Sequence, residues 1–340
     1  MSVQGGAAAL AVVLGLVTSA CTDAAGRESI PPRAGAGTVA GAGGCGPVRY
    51  DDVRGPAPSY VDGPLAEIPN AHALCRGRWL PATGARFVPQ GLVVRGHRAW
   101  VSGYNHRSRA AGGDTCRVIV VDLRTGEEIR HRAAVAGVWR PGTPSCQHAG
   151  GLALDRHGLW LAQRRKAWLL DPETLDVRRG WSLTGRLRGS YLVTDPSGRL
   201  GFGGFHSERS RPLHWLDPAV LLEPGRLEVG PDDAEEIRSG PPDAQGAVWA
   251  DLGPGPAQVW FTRSTTSCGE LWGGSRRRFA FLPGAEGLAV ARGKVWVVSE
   301  STAAPYFRRG GRPVVPALAQ YDLRDLARWE PSTCPATGED

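Results

Sequence analysis

"FLPGAEGLAVARGKVWVVSES" (Phe281–Ser301) and "FVPQGLVVRGHRAWVSGYN" (Phe87–Asn105) are two copies of one pattern. Each opens with an aromatic, an aliphatic and a proline, then brings a polar residue in front of Gly-Leu. A short strand, a turn and a Trp-bearing strand follow. The polar residue is Gln90 in one copy and Glu286 in the other. A chain that repeats a strand–turn–strand unit builds one supersecondary element several times over, so the reading turns on how many copies exist.

Three more can be found. One starts at Gly150 ("GGLALDRHGLWLAQRRKAWLLDPETLDV"), one at Ser190 ("SYLVTDPSGRLGFGGFHSERSRPLHWLDPAVLL") and one at Gln245 ("QGAVWADLGPGPAQVWFTRS"). In four of the units a Trp recurs in the second strand, at Trp100, Trp160, Trp260 and Trp296, with Leu200 in the remaining unit. A large ring at a repeated strand position is packing between sheets. Later in each unit an apolar strand ends in Asp and a turn, as in "VIVVDLRTGE", "AWLLDPETLD", "LHWLDPAVLL" and "LAQYDLRDLA". Asp122, Asp171, Asp217 and Asp322 are expected to accept hydrogen bonds from the turns they open. The Gln245 unit lacks this signature, and "ELWGGSRRRFAFLPG" must supply its outer strands.

Units of roughly 40–60 residues, each with about four short strands, specify an all-β protein, a β-propeller. One four-stranded sheet cannot bury both faces; blades set round an axis bury each other's, and ring closure removes long edges. The last unit shows only three strands, while "ALCRGRWLPATG" (Ala73–Gly84) precedes the first inner strand. Leu74–Leu80 is therefore expected as the outer strand of the last blade. The count is five blades; a sixth is open if Val48–Ile68 or Arg226–Ile237 folds as part of another. In this wording residues 73–330 resemble secreted bacterial propellers of the NHL, YVTN and gluconolactonase/regucalcin type, and the esterase-like phytases with their "EGL…SE" phrase. The resemblance implies the architecture; those families share it across unrelated functions.

The chain has 340 residues and a net charge of +7, and of its 40 basic residues only Lys166 and Lys294 are lysines. Residues 1–21 read as a signal peptide: the apolar run Ala7–Val17 is too short to span a bilayer comfortably, and "VTSAC" resembles a lipobox that would place lipid on Cys21. Thr18 and the lack of a basic residue before the run depart from that pattern. Residues 22–44 are Gly/Ala-rich and read as a flexible tether, leaving 45–340 as a single propeller domain. An extracytoplasmic protein, secreted or held at the membrane by its lipid, and monomeric, is the expectation. The six other cysteines then suit disulfides; Cys116–Cys146 is the one pair assigned, because both residues map to one rim. No Cys-x-x-Cys or His pattern suggests zinc.

In such a ring the loops before each inner strand and those between second and third strands open on one face. That mouth collects Gln90, His148, Gly150, Ser190, Gln245 and Glu286 from the first set. The second set adds Tyr104, His106, His206, Glu300 and many arginines, among them Arg107, Arg109, Arg164, Arg165, Arg209, Arg211, Arg263, Arg308, Arg309 and Arg312. Arginine's planar fork suits carboxylate or phosphate, so the leading expectation is a mouth that binds an anionic small molecule, polymer or envelope ligand. The gluconolactonase/regucalcin resemblance implies instead a metal-dependent hydrolase with calcium at Glu286 and Glu300. Against it, this ring offers Gln, Gly, Ser, Gln and Glu where that family brings Asn and Asp as well. A scaffold inside an envelope complex is the third alternative. Export argues against nucleic acid as a partner, and no G-x-S-x-G, H-E-x-x-H or P-loop motif occurs.

Overall fold

A computed structural model describes residues 45–81, 83, 86–107, 113–135, 146–253, 256–265, 267–273, 277–308 and 313–335. The expected signal peptide, Cys21 and the tether lie outside them, as do Arg109, Arg309 and Arg312. The described residues form five antiparallel blades.

Strand β1 (Leu74–Arg78) comes first in the chain but belongs to the last blade. The first blade is β2 (Phe87–Arg95), β3 (Arg98–Asn105), β4 (Thr115–Asp122) and β5 (Glu128–Ala133). The second is β6 (Gly151–Leu154), β7 (Leu159–Gln163), β8 (Lys166–Leu170) and β9 (Val177–Leu183). The third contains β10 (Tyr191–Thr194), β11 (Leu200–Gly203) and β12 (Arg211–Leu216), after which helix α1 (Pro218–Leu222) leads to β13 (Glu228–Val229) and β14 (Glu236–Gly240). The fourth is β15 (Ala244–Ala250), β16 (Gln258–Thr265), β17 (Cys268–Gly273) and β18 (Arg277–Phe281). The fifth is β19 (Ala285–Ala291), β20 (Lys294–Ser299) and, past α2 (Ala304–Phe307), β21 (Leu318–Asp322), against which β1 pairs antiparallel.

No sixth blade forms among the described residues. Val48–Ile68 carries one short turn of 3-10 helix, while Arg226–Ile237 is shared: β13 adds in parallel to β9, and β14 completes the third blade.

The inner strands β2, β6, β10, β15 and β19 each pack on the next, and β19 returns to β2, closing the ring. Five hydrophobic wedges fill the spaces between blades. Trp100 packs with Leu152 and Trp168 between blades one and two; Trp160 packs with Leu192 and Phe202 between two and three. Trp260 lies with Leu288 and Val295 between four and five, and Trp296 with Val101 and Ile119 between five and one. All four rings are at most 5% exposed. Each removes on the order of 200 Å² from water, about 5 kcal/mol at 25 cal/mol per Å². Where the third unit has Leu200, the next wedge draws its Trp from the third strand instead, Trp215 beside Val259 and Phe261.

The repeated aspartates are structural. Asp122, Asp171, Asp217 and Asp322 accept from the backbone N–H of Arg124, Glu173, Ala219 and Arg324 at 2.7–3.0 Å. Three disulfides, Cys45–Cys75, Cys116–Cys146 and Cys268–Cys334, tie loops and ends to the blades.

Candidate functional site

The repeated polar-Gly-Leu phrase has a structural cause. Strand register slips by a β-bulge between Pro89 and Leu92, between Ala244 and Gly246, and between Ala285 and Leu288. A bulge re-aims the side chain it carries, and the residues carried are Gln90, Gln245 and Glu286. The adjoining glycine lets inner strands crowd the axis: a Cβ on Gly287 would lie 2.5 Å from the backbone N of Leu92 and 2.6 Å from the carbonyl O of Gln90. Hydroxyls of the preceding blade hold the bulged backbone. Thr262 Oγ1 donates to the Glu286 carbonyl at 2.5 Å, and Ser264 Oγ donates to that of Ala285 at 2.8 Å.

These residues open into a cleft of about 1220 Å³ at the mouth, lined also by His148, Gln163, Arg164, Arg165, Lys166, Arg186, Arg188, Phe205, His206, Arg211, Glu300 and Tyr306. Its two sides differ in charge. On blade five, Glu286 is 2% and Glu300 8% exposed. Glu300 accepts from Gln90 Nε2 at 2.9 Å and is hydrogen-bonded to Tyr306, whose hydroxyl lies 3.0 Å from that of Tyr104. The Glu286 carboxyl receives no hydrogen bond or ion pair among the described residues. Burial, reinforced by the neighbouring Glu300 charge, raises its pKa well above the usual carboxylate range.

The opposite side belongs to blades two and three. Arg164 and Arg165 form the β7–β8 turn, Arg186 and Arg188 precede β10, and Arg211 opens β12. In a ring of five, blade five faces the junction of two and three, so acid and base confront each other across the axis. Burial and then the charges of Arg165, Arg164 and Arg211 lower the pKa of Arg188. Among the described residues no carboxylate pairs with Arg164, Arg165, Arg186 or Arg211.

Eleven expected residues thus line one cleft: Gln90, His148, Gly150, Arg164, Arg165, Ser190, His206, Arg211, Gln245, Glu286 and Glu300. Others do not. Tyr104 lies behind it, stacked on His148 with ring centroids 4.7 Å apart. His106 turns to Asp114 at 3.2 Å. Arg263 is consumed by the scaffold: 4% exposed, it pairs with Glu270 at 2.7 Å, donates to the Pro242 carbonyl and lies over Trp272. His148 is open to the water of the cleft yet ringed by protein, and that enclosure lowers its imidazole pKa. Its backbone N–H, with that of Gln147, donates to Gln163 Oε1 at 3.0 and 2.7 Å, next to the Cys116–Cys146 bridge. Arg186 and Arg188 went unnoticed in the sequence, although "RLRG" stands before Ser190 as His148 stands before Gly150.

Calcium takes six to eight oxygen ligands. The mouth brings two carboxylates, the side-chain oxygens of Gln90 and Gln245, and the hydroxyl of Ser190, in a cleft crowded with arginine. Two carboxylates are all the negative charge that this set brings to a divalent cation. The Cys45, Cys75 and Asp322 side chains also cluster, but the two sulfurs are joined to each other.

No family model matches the chain, and no curated protein matches it in sequence. Several solved structures are similar to it. A calcium-binding protein, regucalcin, from Agrobacterium tumefaciens is 12% identical over 69% of this chain and 89% of its own, with a TM-score of 0.37. Virginiamycin B lyase from Staphylococcus aureus is 12% identical over 69% of this chain and 70% of its own, TM-score 0.31. BamB from Moraxella catarrhalis is 11% identical over 68% of this chain and 56% of its own, TM-score 0.28. By its own ring of blades the chain is a five-bladed β-propeller.

Proposed function

We propose that the mouth binds a ligand through a phosphate or carboxylate group seated on the wall of Arg164, Arg165, Arg186, Arg188 and Arg211. One observation carries this reading: five guanidinium groups from two adjacent blades line one cleft, and none of them has an acidic partner among the described residues. Holding so many like charges together is unfavourable until an anion arrives, and guanidinium forks bind such groups bidentately. Arg263 has no place in this wall.

The test is titration of the protein with inorganic pyrophosphate and with a polyuronate, at low and high salt. Replacing Arg164 and Arg165 with alanine should weaken binding at least about tenfold, the worth of a lost charge-assisted hydrogen bond, with an unchanged melting temperature. Affinity equal to wild type for both probes removes the proposal. The three disulfides support folding in an oxidising compartment. Lipid on Cys21 and a monomeric state complete the proposal. Mass spectrometry of the membrane-extracted N-terminal peptide checks the first, and light scattering the second.

A further inference from the structure

We propose that the Glu286–Glu300 carboxyl pair is a subsite for a primary ammonium group, so that the mouth takes a bipolar ligand with an anionic group at one end and a protonated amine at the other. The anionic end rests on the arginine wall proposed above; the ammonium end stands on separate observations.

The first is that Glu286 is 2% exposed, lines the cleft, and has no hydrogen-bond or ion-pair partner among the described residues. Buried polar groups without partners are rare in folded proteins, and one that faces a cavity is short of a ligand. The second is that the β-bulge and the Thr262 hydroxyl bring this residue to the mouth, when β-register alone would give the position an ordinary inner-strand direction. The third is the count of acceptors. A primary ammonium presents three N–H donors. The Glu286 carboxyl, the Glu300 carboxyl and an amide oxygen of Gln90 or Gln245 supply one acceptor group for each donor. Gln90 already donates its Nε2 to Glu300, which leaves its Oε1 as an acceptor. The titratable groups facing Glu286 are Glu300 and the Tyr306 phenol. The Tyr306 ring, also on the cleft wall, offers a face of the kind that attracts organic cations.

Placement across the ring completes the case. The acids sit on blade five and the arginines on blades two and three, so a ligand spanning the axis meets opposite charges at its two ends. The exposed Phe205 on the rim gives an apolar surface for the body between them. Amino-sugar phosphates and aminoalkyl phosphates have this chemistry.

Calorimetric titration with glucose 6-phosphate and glucosamine 6-phosphate compares a hydroxyl with an ammonium on the same framework. The amino sugar phosphate should bind at least about tenfold tighter, as expected for gaining a charge-assisted hydrogen bond, and Glu286→Gln should abolish the preference. Equal affinity for the two compounds in the wild type overturns the ammonium subsite and leaves the arginine wall standing. If neither phosphate binds, the arginine wall fails. Thermal shift with glucosamine against glucose then decides the carboxyl subsite alone: stabilisation by glucosamine only supports it, and no difference between the two overturns it. Stabilisation by calcium chloride in place of glucosamine overturns it as well. The wild-type comparisons hold whatever the folding of the variant.

Discussion

Gln90 and Glu286 occupy the same bulge in two blades, and the difference between them is one ionisable group. At Gln90 the amide Nε2–H donates a hydrogen bond to the Glu300 carboxyl. At Glu286 burial and the neighbouring Glu300 charge favour the protonated carboxyl. Below an ordinary glutamate pKa of about 4.3, folded and unfolded chains both carry this proton. As pH rises the unfolded chain releases it first, so stability falls until the folded-state pKa is reached, by about 1.4 kcal/mol for each unit between the two values. Glu286→Gln removes this loss while keeping the shape. Melting curves should show the variant more stable than wild type at pH 7, by about 2 °C or more per kcal/mol, with the gap closing towards pH 4. A gap that stays constant with pH would mean Glu286 is ionised in the folded protein. The position of Glu286 was legible in the sequence, because a repeated phrase marks equivalent places in equivalent blades. The role of Arg263 was not. Its partner Glu270 sits directly opposite on the next strand, and that register depends on a turn whose length the sequence leaves open.

At the scale of elements, the mouth depends on inner strands that approach more closely than side chains permit. Gly287 shows the constraint most directly, because the atoms a Cβ would strike are backbone on both sides, Gln90 O and Leu92 N. Neither can swing away without moving blade one. Gly287→Ala should therefore cost about 3 kcal/mol, the upper end for overpacking a tight site, measured by denaturant unfolding. The same variant should displace Glu286 and weaken ligand binding. Gly253→Ala is the control: its nearest neighbour is a Leu326 methyl at 3.6 Å, so stability should change little. The Gly-Leu phrase was readable as a repeat, but its reason, strand-to-strand crowding between blades, exists only once the ring is closed. The same limit hid the split of Arg226–Ile237 between two blades. Strand β13 is two residues long and pairs with an earlier blade, a contact that no local pattern announces.

On the scale of the whole molecule, everything at the axis requires that blade five be held against blade one, and that closure is made by the start of the described chain. Strand β1 pairs with β21, and Cys45–Cys75 fastens the segment before it. Arg78, 3% exposed, donates to the Leu123 carbonyl at 2.9 Å, reaching from the outer edge of blade five to blade one. Asn70 extends the clasp to the other end of the chain: its Nδ2 donates to the Ala280 carbonyl at 2.7 Å, and its Oδ1 accepts from the Glu330 N–H at 2.8 Å. Two interventions separate covalent from non-covalent closure. Replacing Cys45 and Cys75 with alanine frees a loop of 30 residues and should lower stability by about 3–4 kcal/mol, while the ring still closes on β1 and unfolds in a single transition. A chain that begins after Arg78 exposes the long edge of β21, an open template for another chain. It should lose cooperative unfolding and aggregate, as size-exclusion chromatography and calorimetry would show. A truncated chain that stayed monomeric, melted sharply and still bound pyrophosphate would mean that the mouth does not depend on ring closure.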